Sequence, residues 1–187
     1  MTSNNWSDNI CRSFVMNNSI KILSRAETES LLSSLCKLLI DCVASGASIG
    51  FLPPLSPTLA ENYWKSVAED LDSGERVLLV AQKDTEILGA VQFELAMKEN
   101  AKHRAEIQKL MVHTKHRGKG IARILMTRTE EIAFGLGRTL LVLDTKQGDA
   151  AETLYEKWDY QRVGVIPQYA KSADGRLHGT VFFYKSL

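Results

Sequence analysis

The sequence is short of proline, cysteine and net charge, and each shortage excludes something. Four prolines among 187 residues, 44% of them apolar, fit one compact domain with a full core and argue against two independent ones. The three cysteines, Cys11, Cys36 and Cys42, are an odd, unclustered set, so no disulfide framework is expected. Two of them lie in one apolar helical stretch, where a small buried side chain in a reducing interior explains them. Lys plus Arg total 23 against 22 Asp plus Glu, a net charge of +1, which removes any global attraction for nucleic acid or an acidic membrane. No apolar run approaches the ~18 residues of a membrane span, and no signal-peptide core opens the chain. A cytoplasmic protein is the resulting expectation.

Several chemical signatures are missing as well. A dinucleotide fingerprint starting at Gly118 needs glycine where Arg123 stands, and a Walker loop needs serine or threonine where Gly120 follows Lys119. Ser48 lies among glycines without a nucleophile elbow, which argues against a serine hydrolase. His113 and His116 are three apart with no clear third ligand, so no metal is expected. There is no internal repeat.

What is present divides into a short leader and a patterned remainder. Residues 1–17 are rich in Asn and Ser without period and read as a mobile extension, with Met16 an alternative start. Residues 18–187 read as a single domain. Ser24 and Glu27 form a capping-box pattern, and apolar residues from Leu31 to Val43 recur at three- and four-residue spacing, predicting a helix from about Arg25 to Ala44. An irregular loop over residues 46–54 and a helix over 57–71 come next.

Residues 76–82 and 87–95 are β-rich runs joined by a polar linker of hairpin length, predicting an antiparallel pair. In residues 105–113, Ala105 and Ile107 place apolar groups on odd positions, and Leu110 and Val112 on even ones. Strand side chains alternate with period two, so this slip predicts a β-bulge near Lys109; a strand that ends early is the alternative. A helix is predicted over 119–136 with Ile121, Leu125, Ile132 and Leu136 on one face, then a buried strand over 139–143 parallel to the bulged one. A short helix over 150–158 and strands over 162–165 and 180–184, joined by an irregular stretch, complete the chain.

The most informative run is Arg117, Gly118, Lys119, Gly120, Ile121, Ala122, at a strand-to-helix junction. Glycine lets the backbone approach a ligand closely, and the unpaired N–H groups of a helix's first turn attract anions. A bulge beside it would free backbone groups to pair with an extended ligand, as an added strand does. The pattern R-x-x-G-x-[GA] at Arg117, Gly120 and Ala122, the bulged run 104–112 and the segment 154–160 resemble successive motifs of the GNAT superfamily of N-acetyltransferases. Trp158, Asp159 and Tyr160 depart from the family's frequent Leu-Gly-aromatic. Residues 46–51, 143–145 and 174–178 narrow the resemblance to acetyltransferases that confer resistance to a β-lactam toxin.

The resemblance implies an α/β fold with a mixed central sheet, a bulged strand and flanking helices. It implies acetyl-CoA as cofactor, held by Leu110, Met111, Val112, Arg117, Gly118, Lys119, Gly120, Ile121, Ala122 and Thr145. Glu106 and Asp144 are the candidate bases and Tyr155 the candidate acid that protonates the departing thiolate; a solvated glutamate, a turn-forming aspartate and a core aromatic are the alternatives. Leu154 and Trp158 are expected to be the apolar pair of that helix. The partner is a small-molecule amine, with a peptide amine or a non-catalytic acyl-CoA sensor as rival readings, and the chain is expected to be a monomer or homodimer.

Overall fold

A computed structural model describes residues 19–187. The extension, Met16 and Cys11 lie outside the described residues. Strands β1 (Ser19–Ile22), β2 (Arg76–Lys83), β3 (Glu86–Leu95), β4 (Arg104–Val112), β5 (Leu140–Lys146), β6 (Gln161–Lys171) and β7 (Leu177–Ser186) form one sheet in the order β1-β2-β3-β4-β5-β7-β6. Every neighbouring pair is antiparallel except β4 and β5. The mixed α/β architecture is the one expected.

Helices α1 (Arg25–Ser30), α2 (Leu32–Ala44) and α3 (Pro57–Leu71) cover one face, and α4 (Ile121–Gly135) and α5 (Ala150–Lys157) the other. The capping box forms: Ser24 accepts from the Glu27 N–H while the Glu27 carboxylate accepts from the Ser24 N–H at 2.9 Å. The predicted single helix from Arg25 to Ala44 is broken at Leu31 (φ −99°, ψ 9°). The hydroxyls of Thr28 and Ser30 donate back to the Ser24 and Glu27 carbonyls, a competition with the helical ladder that favours such a break. Ser56 caps α3, and Pro57 occupies a first-turn position where its missing N–H costs nothing.

Two other expectations need correction. The buried stripe of α4 is Ile121, Leu125, Met126, Thr129 and Ala133, while Leu136 is 49% exposed because the chain already turns there toward Gly137. The irregular stretch after Val165 belongs to β6, which pairs with β7 through register shifts at Arg162/Gly164 and Ile166/Ala170.

The bulge forms where the phase slips. Ala90 faces Met111 and Gln92 faces Gln108, so Lys109 and Leu110 together oppose Val91, with Lys109 at φ 52°. The slip redirects the side chains: Ala105 and Ile107 pack on the α4/α5 face, Leu110 and Val112 join them there, and Met111 enters the core under α2 and α3. Gly89, opposite Val112, makes this crossing possible, because a Cβ there would sit 2.8 Å from the Met111 carbonyl oxygen and 3.1 Å from Ile121. Gly89→Ala is expected to destabilise the fold by about 1–3 kcal/mol, the usual cost of overpacking, measured by urea unfolding.

Candidate active site

Parallel pairing between β4 and β5 is brief: Arg104 to Leu140, Ala105 to Leu141 and Glu106 to Val142. Beyond Glu106 the strands part, and a cleft of about 880 Å³ opens between them. Residues 107–112 therefore turn an edge of main-chain groups to the cleft without a β5 partner, a surface on which an extended, amide-bearing ligand can add as a strand does.

At the far end of β4 the chain makes the glycine turn into α4. Gly118 and Gly120 are left-handed, at φ 74° and 80°. The first ladder bond of α4 runs from the Ile124 N–H to the Gly120 carbonyl, and the N–H groups of residues 118–123 have no acceptor among the described residues. A run of orphan donors at a helix N-terminus is an anion site by construction. Arg117 does not reach into it freely. Its guanidinium donates to the Val112 carbonyl at 3.0 Å and to Ser45 Oγ at 2.7 Å, bracing the turn against the end of α2.

The cleft passes through the sheet from face to face. On the α1–α3 face stand Glu106 and Asp144, with Gln108 Nε2 donating to Glu106 Oε1 at 3.3 Å. Asp144 lies within β5 and does not cap it, since the strand continues to Lys146. Its side chain is exposed in the open cleft, where partial loss of hydration, followed by the Glu106 charge, pushes its carboxyl up, with Lys109 opposing. Tyr155 lies on the other face, 6% exposed, its ring against Trp158, Tyr160 and Phe183. Burial, then the charges of Asp144 and Asp149, raises its phenol well above the ordinary range. Leu154, expected to be half of the apolar pair, is 39% exposed; Tyr155 takes that place.

The acetyltransferase (GNAT) family profile matches residues 47–160 of this chain. The chain belongs to that family.

This GNAT chain is 32% identical over 118 residues to an uncharacterized N-acetyltransferase encoded in the hisH-hisA intergenic region of Azospirillum brasilense, spanning 62% of the chain and 68% of that relative. The structure of a ribosomal-protein-alanine N-acetyltransferase from Brucella melitensis superposes with a TM-score of 0.73 at 22% identity, over 90% of this chain and 99% of that one. The structure of yncA from Salmonella typhimurium with its cofactor acetyl-CoA superposes with a TM-score of 0.71 at 18% identity, over 91% and 94% of the two chains. Both show the same fold. The GNAT chain is accordingly an acetyl-CoA-dependent acetyltransferase, and the site has what that cofactor requires: orphan N–H donors for a pyrophosphate and a bare strand edge for amides.

Of the residues named from the sequence, Glu106, Asp144, Tyr155, Leu110, Val112, Arg117, Gly118, Gly120, Ile121, Ala122 and Thr145 all line the cleft. Met111 and Lys119 do not. Met111 is buried on the α1–α3 side of β4, and Lys119 turns its ammonium onto the Lys115 carbonyl at 3.1 Å. Sequence reasoning passed over Gln108 and Lys109, which line the cleft, and Asp41, which holds the start of the turn by accepting from the Thr114 N–H and hydroxyl, both at 2.7 Å. The phase slip was a signal for Lys109, because a bulged residue is re-aimed. Asp41 carries no such signal; only the tertiary fold brings α2 to β4. No group of three or more His, Cys, Asp or Glu that would hold a metal occurs among the described residues.

Gly120→Ala forces a side chain into left-handed backbone at a cost of about 1–2 kcal/mol and misdirects the donors. It is expected to weaken CoA binding about tenfold or more by calorimetry. Asp144 generates a pH prediction. A carboxyl whose pKa is raised by folding binds its proton more tightly in the folded state, so ionising it costs stability as pH rises through and above its unfolded value. Asp144→Asn removes this cost and is expected to raise the melting temperature at pH 7, with the gain fading as pH falls toward the unfolded value of about 4 and lost below it, followed by differential scanning fluorimetry across that range.

Proposed function

We propose that this GNAT enzyme transfers the acetyl group of acetyl-CoA to the amine of a small molecule by direct attack, without an acetylated side chain. The observation that carries the acceptor class is a second pocket of about 440 Å³, lined by residues 46–48, 50–53 and 170–174 together with Lys146, adjoining the cleft at Gly46, Ala47, Ser48, Gly50 and Ala170. Its volume is that of a small ligand's site. Further support comes from residues 46–51, 143–145 and 174–178, which resemble the tabtoxin resistance protein, an acetyltransferase of a β-lactam toxin; the first and last of these segments meet at this pocket. Free Cys36 and Cys42 suit the cytoplasm.

In this reading the donors of residues 118–123 hold the pyrophosphate and the β4 edge beyond Glu106 holds the pantetheine amides. Bound acetyl-CoA supplies a thioester carbonyl. Main-chain N–H near Val112 stabilises the negative charge that develops on its oxygen, a contribution of about 3–4 kcal/mol for one donor in comparable sites. Glu106 and Asp144 take the amine proton. A carboxylate with a reference pKa near 4.3 and an ammonium near 10.4 differ by ~6 units or about 8 kcal/mol, so the transfer follows or accompanies attack, when the nitrogen has become acidic, or passes through water. Tyr155 stays a phenol at every working pH because its environment raises it. Its contribution is therefore a hydrogen bond to the leaving sulfur, since a phenol raised in this way gives up its proton to a thiolate less readily than a free one.

Thiol release from acetyl-CoA across amino acids, β-lactams, polyamines and peptides tests the reading. Turnover of small amines with silence toward peptides is expected; the reverse pattern replaces the acceptor class, and binding without any turnover favours an acyl-CoA sensor. Glu106→Gln is expected to lower kcat/KM about 10²–10⁴-fold, the range for a lost general base. Tyr155→Phe at full kcat would remove Tyr155 from the acid role.

A further inference from the structure

The bulge that opens the cleft also leaves a cation in it without a counter-ion. Lys109 lines the cleft with Glu106, Asp144, Ile49 and Gly50, and it forms no ion pair or side-chain hydrogen bond among the described residues. Of its charged neighbours, Arg76 and Glu94 are committed to each other, and Arg76 to Asp70 at 3.2 Å as well, while Asp144 attracts it without forming an ion pair. Gly50 makes room for the lysine, since a Cβ there would lie 3.1 Å from Lys109 Nζ. Enclosure, then Arg76, lowers the affinity of that amine for its proton, against the pull of Asp144 and Glu94. A largely enclosed ammonium with no partner is costly, and an incoming anion recovers the cost.

The same wall therefore presents two carboxylates and one unpaired ammonium. Glu106 and Asp144 attract a protonated amine, whereas Lys109 repels a polyamine and leaves a simple amine's far end unmatched. We propose that Lys109 binds the carboxylate of the acceptor, which makes the acceptor a small amino-acid-like zwitterion with its carboxylate close to the amine that is acetylated. The proposal rests on the acetyl-transfer reading and names its substrate class. A lysine that merely fills the bulge would be indifferent to the acceptor's charge.

The test compares amino acids with their methyl esters and their decarboxylated amines, in the wild-type enzyme and in Lys109→Met, which keeps side-chain length and removes charge. Thiol release gives kcat and KM, and calorimetry in the presence of CoA gives acceptor affinity without turnover. Wild type is expected to prefer acid over ester about tenfold or more in kcat/KM. Lys109→Met is expected to collapse that ratio toward one through KM for the acid. Equal use of acid and ester by wild type, or a variant that keeps the ratio, overturns the proposal. So does a preference that Lys146→Met abolishes while Lys109→Met does not, because the anion then sits in the adjoining pocket. If no amine is turned over, the acetyl-transfer reading fails on its own; calorimetry then decides Lys109, which stands only if wild type binds the acid more tightly than the ester and the variant does not.

Discussion

The whole site depends on two residues of β4 facing one of β3. Lys109 and Leu110 oppose Val91, and an extra residue in one strand increases its local twist and breaks the ladder. Pairing with β5 stops at Glu106, short of the bulge, so the strand edge beyond it faces a cleft. The same extra residue exchanges the faces of the last positions of β4: Met111 seals the core under α2 and α3, while Leu110 and Val112 turn to the α4/α5 side. A sheet with uninterrupted register would close the gap and hold no cofactor between its strands.

A gap between strands needs bracing on its open side, and polar bonds from α2 supply it. Asp41 binds Thr114 through both carboxylate oxygens, and His113 stands 3.4 Å away. Enclosure works against that carboxylate, but the Thr114 bonds and the nearby His113 and Arg117 charges hold it below its ordinary range. Arg117 bridges the Val112 carbonyl and Ser45. Since α2 runs directly into the loop that walls the second pocket, the glycine turn and that pocket share one anchor. A change in the loop at residues 46–51 can thus reach the anion cradle without touching it.

Local chemistry made much of this legible in the sequence. The capping box at Ser24, the Ser56-Pro57 start of α3, the hairpin and the bulge are each decided by residues within a few positions of one another, and each appears where the pattern puts it. Much of the cleft lining was accessible too, because Glu106, Leu110, Val112, Arg117, Gly118, Gly120, Ile121 and Ala122 sit on elements whose ends the topology brings together. What escaped depended on distant partners. Leu154 and Tyr155 are adjacent on α5, and helical spacing alone cannot tell which turns inward; the aromatic cluster with Tyr160 and Phe183, from later in the chain, selects Tyr155. The split of the first helix at Leu31 and the continuation of β6 through its bulges run against the periodic signal, because hydroxyl back-bonding and long-range pairing outweigh it.

The proposed acetyl transfer would give the two sides of the cleft opposite proton tasks. Alternation along β4 and β5 places Glu106 and Asp144 on the α1–α3 face, while Tyr155 rises from α5 on the far side. In that proposal the attacking nitrogen and the departing sulfur lie on opposite sides of the reacting carbon, so a base for one and a hydrogen-bond donor for the other would sit on different faces. Environment separates them further. The phenol is buried and stays protonated, and the two carboxylates sit near enough for each other's charge to matter. That mutual repulsion, partly offset by Lys109, would be relieved further by an ammonium between them. The charge pattern of the α1–α3 side of the cleft is in this way consistent with the proposed amine acceptor.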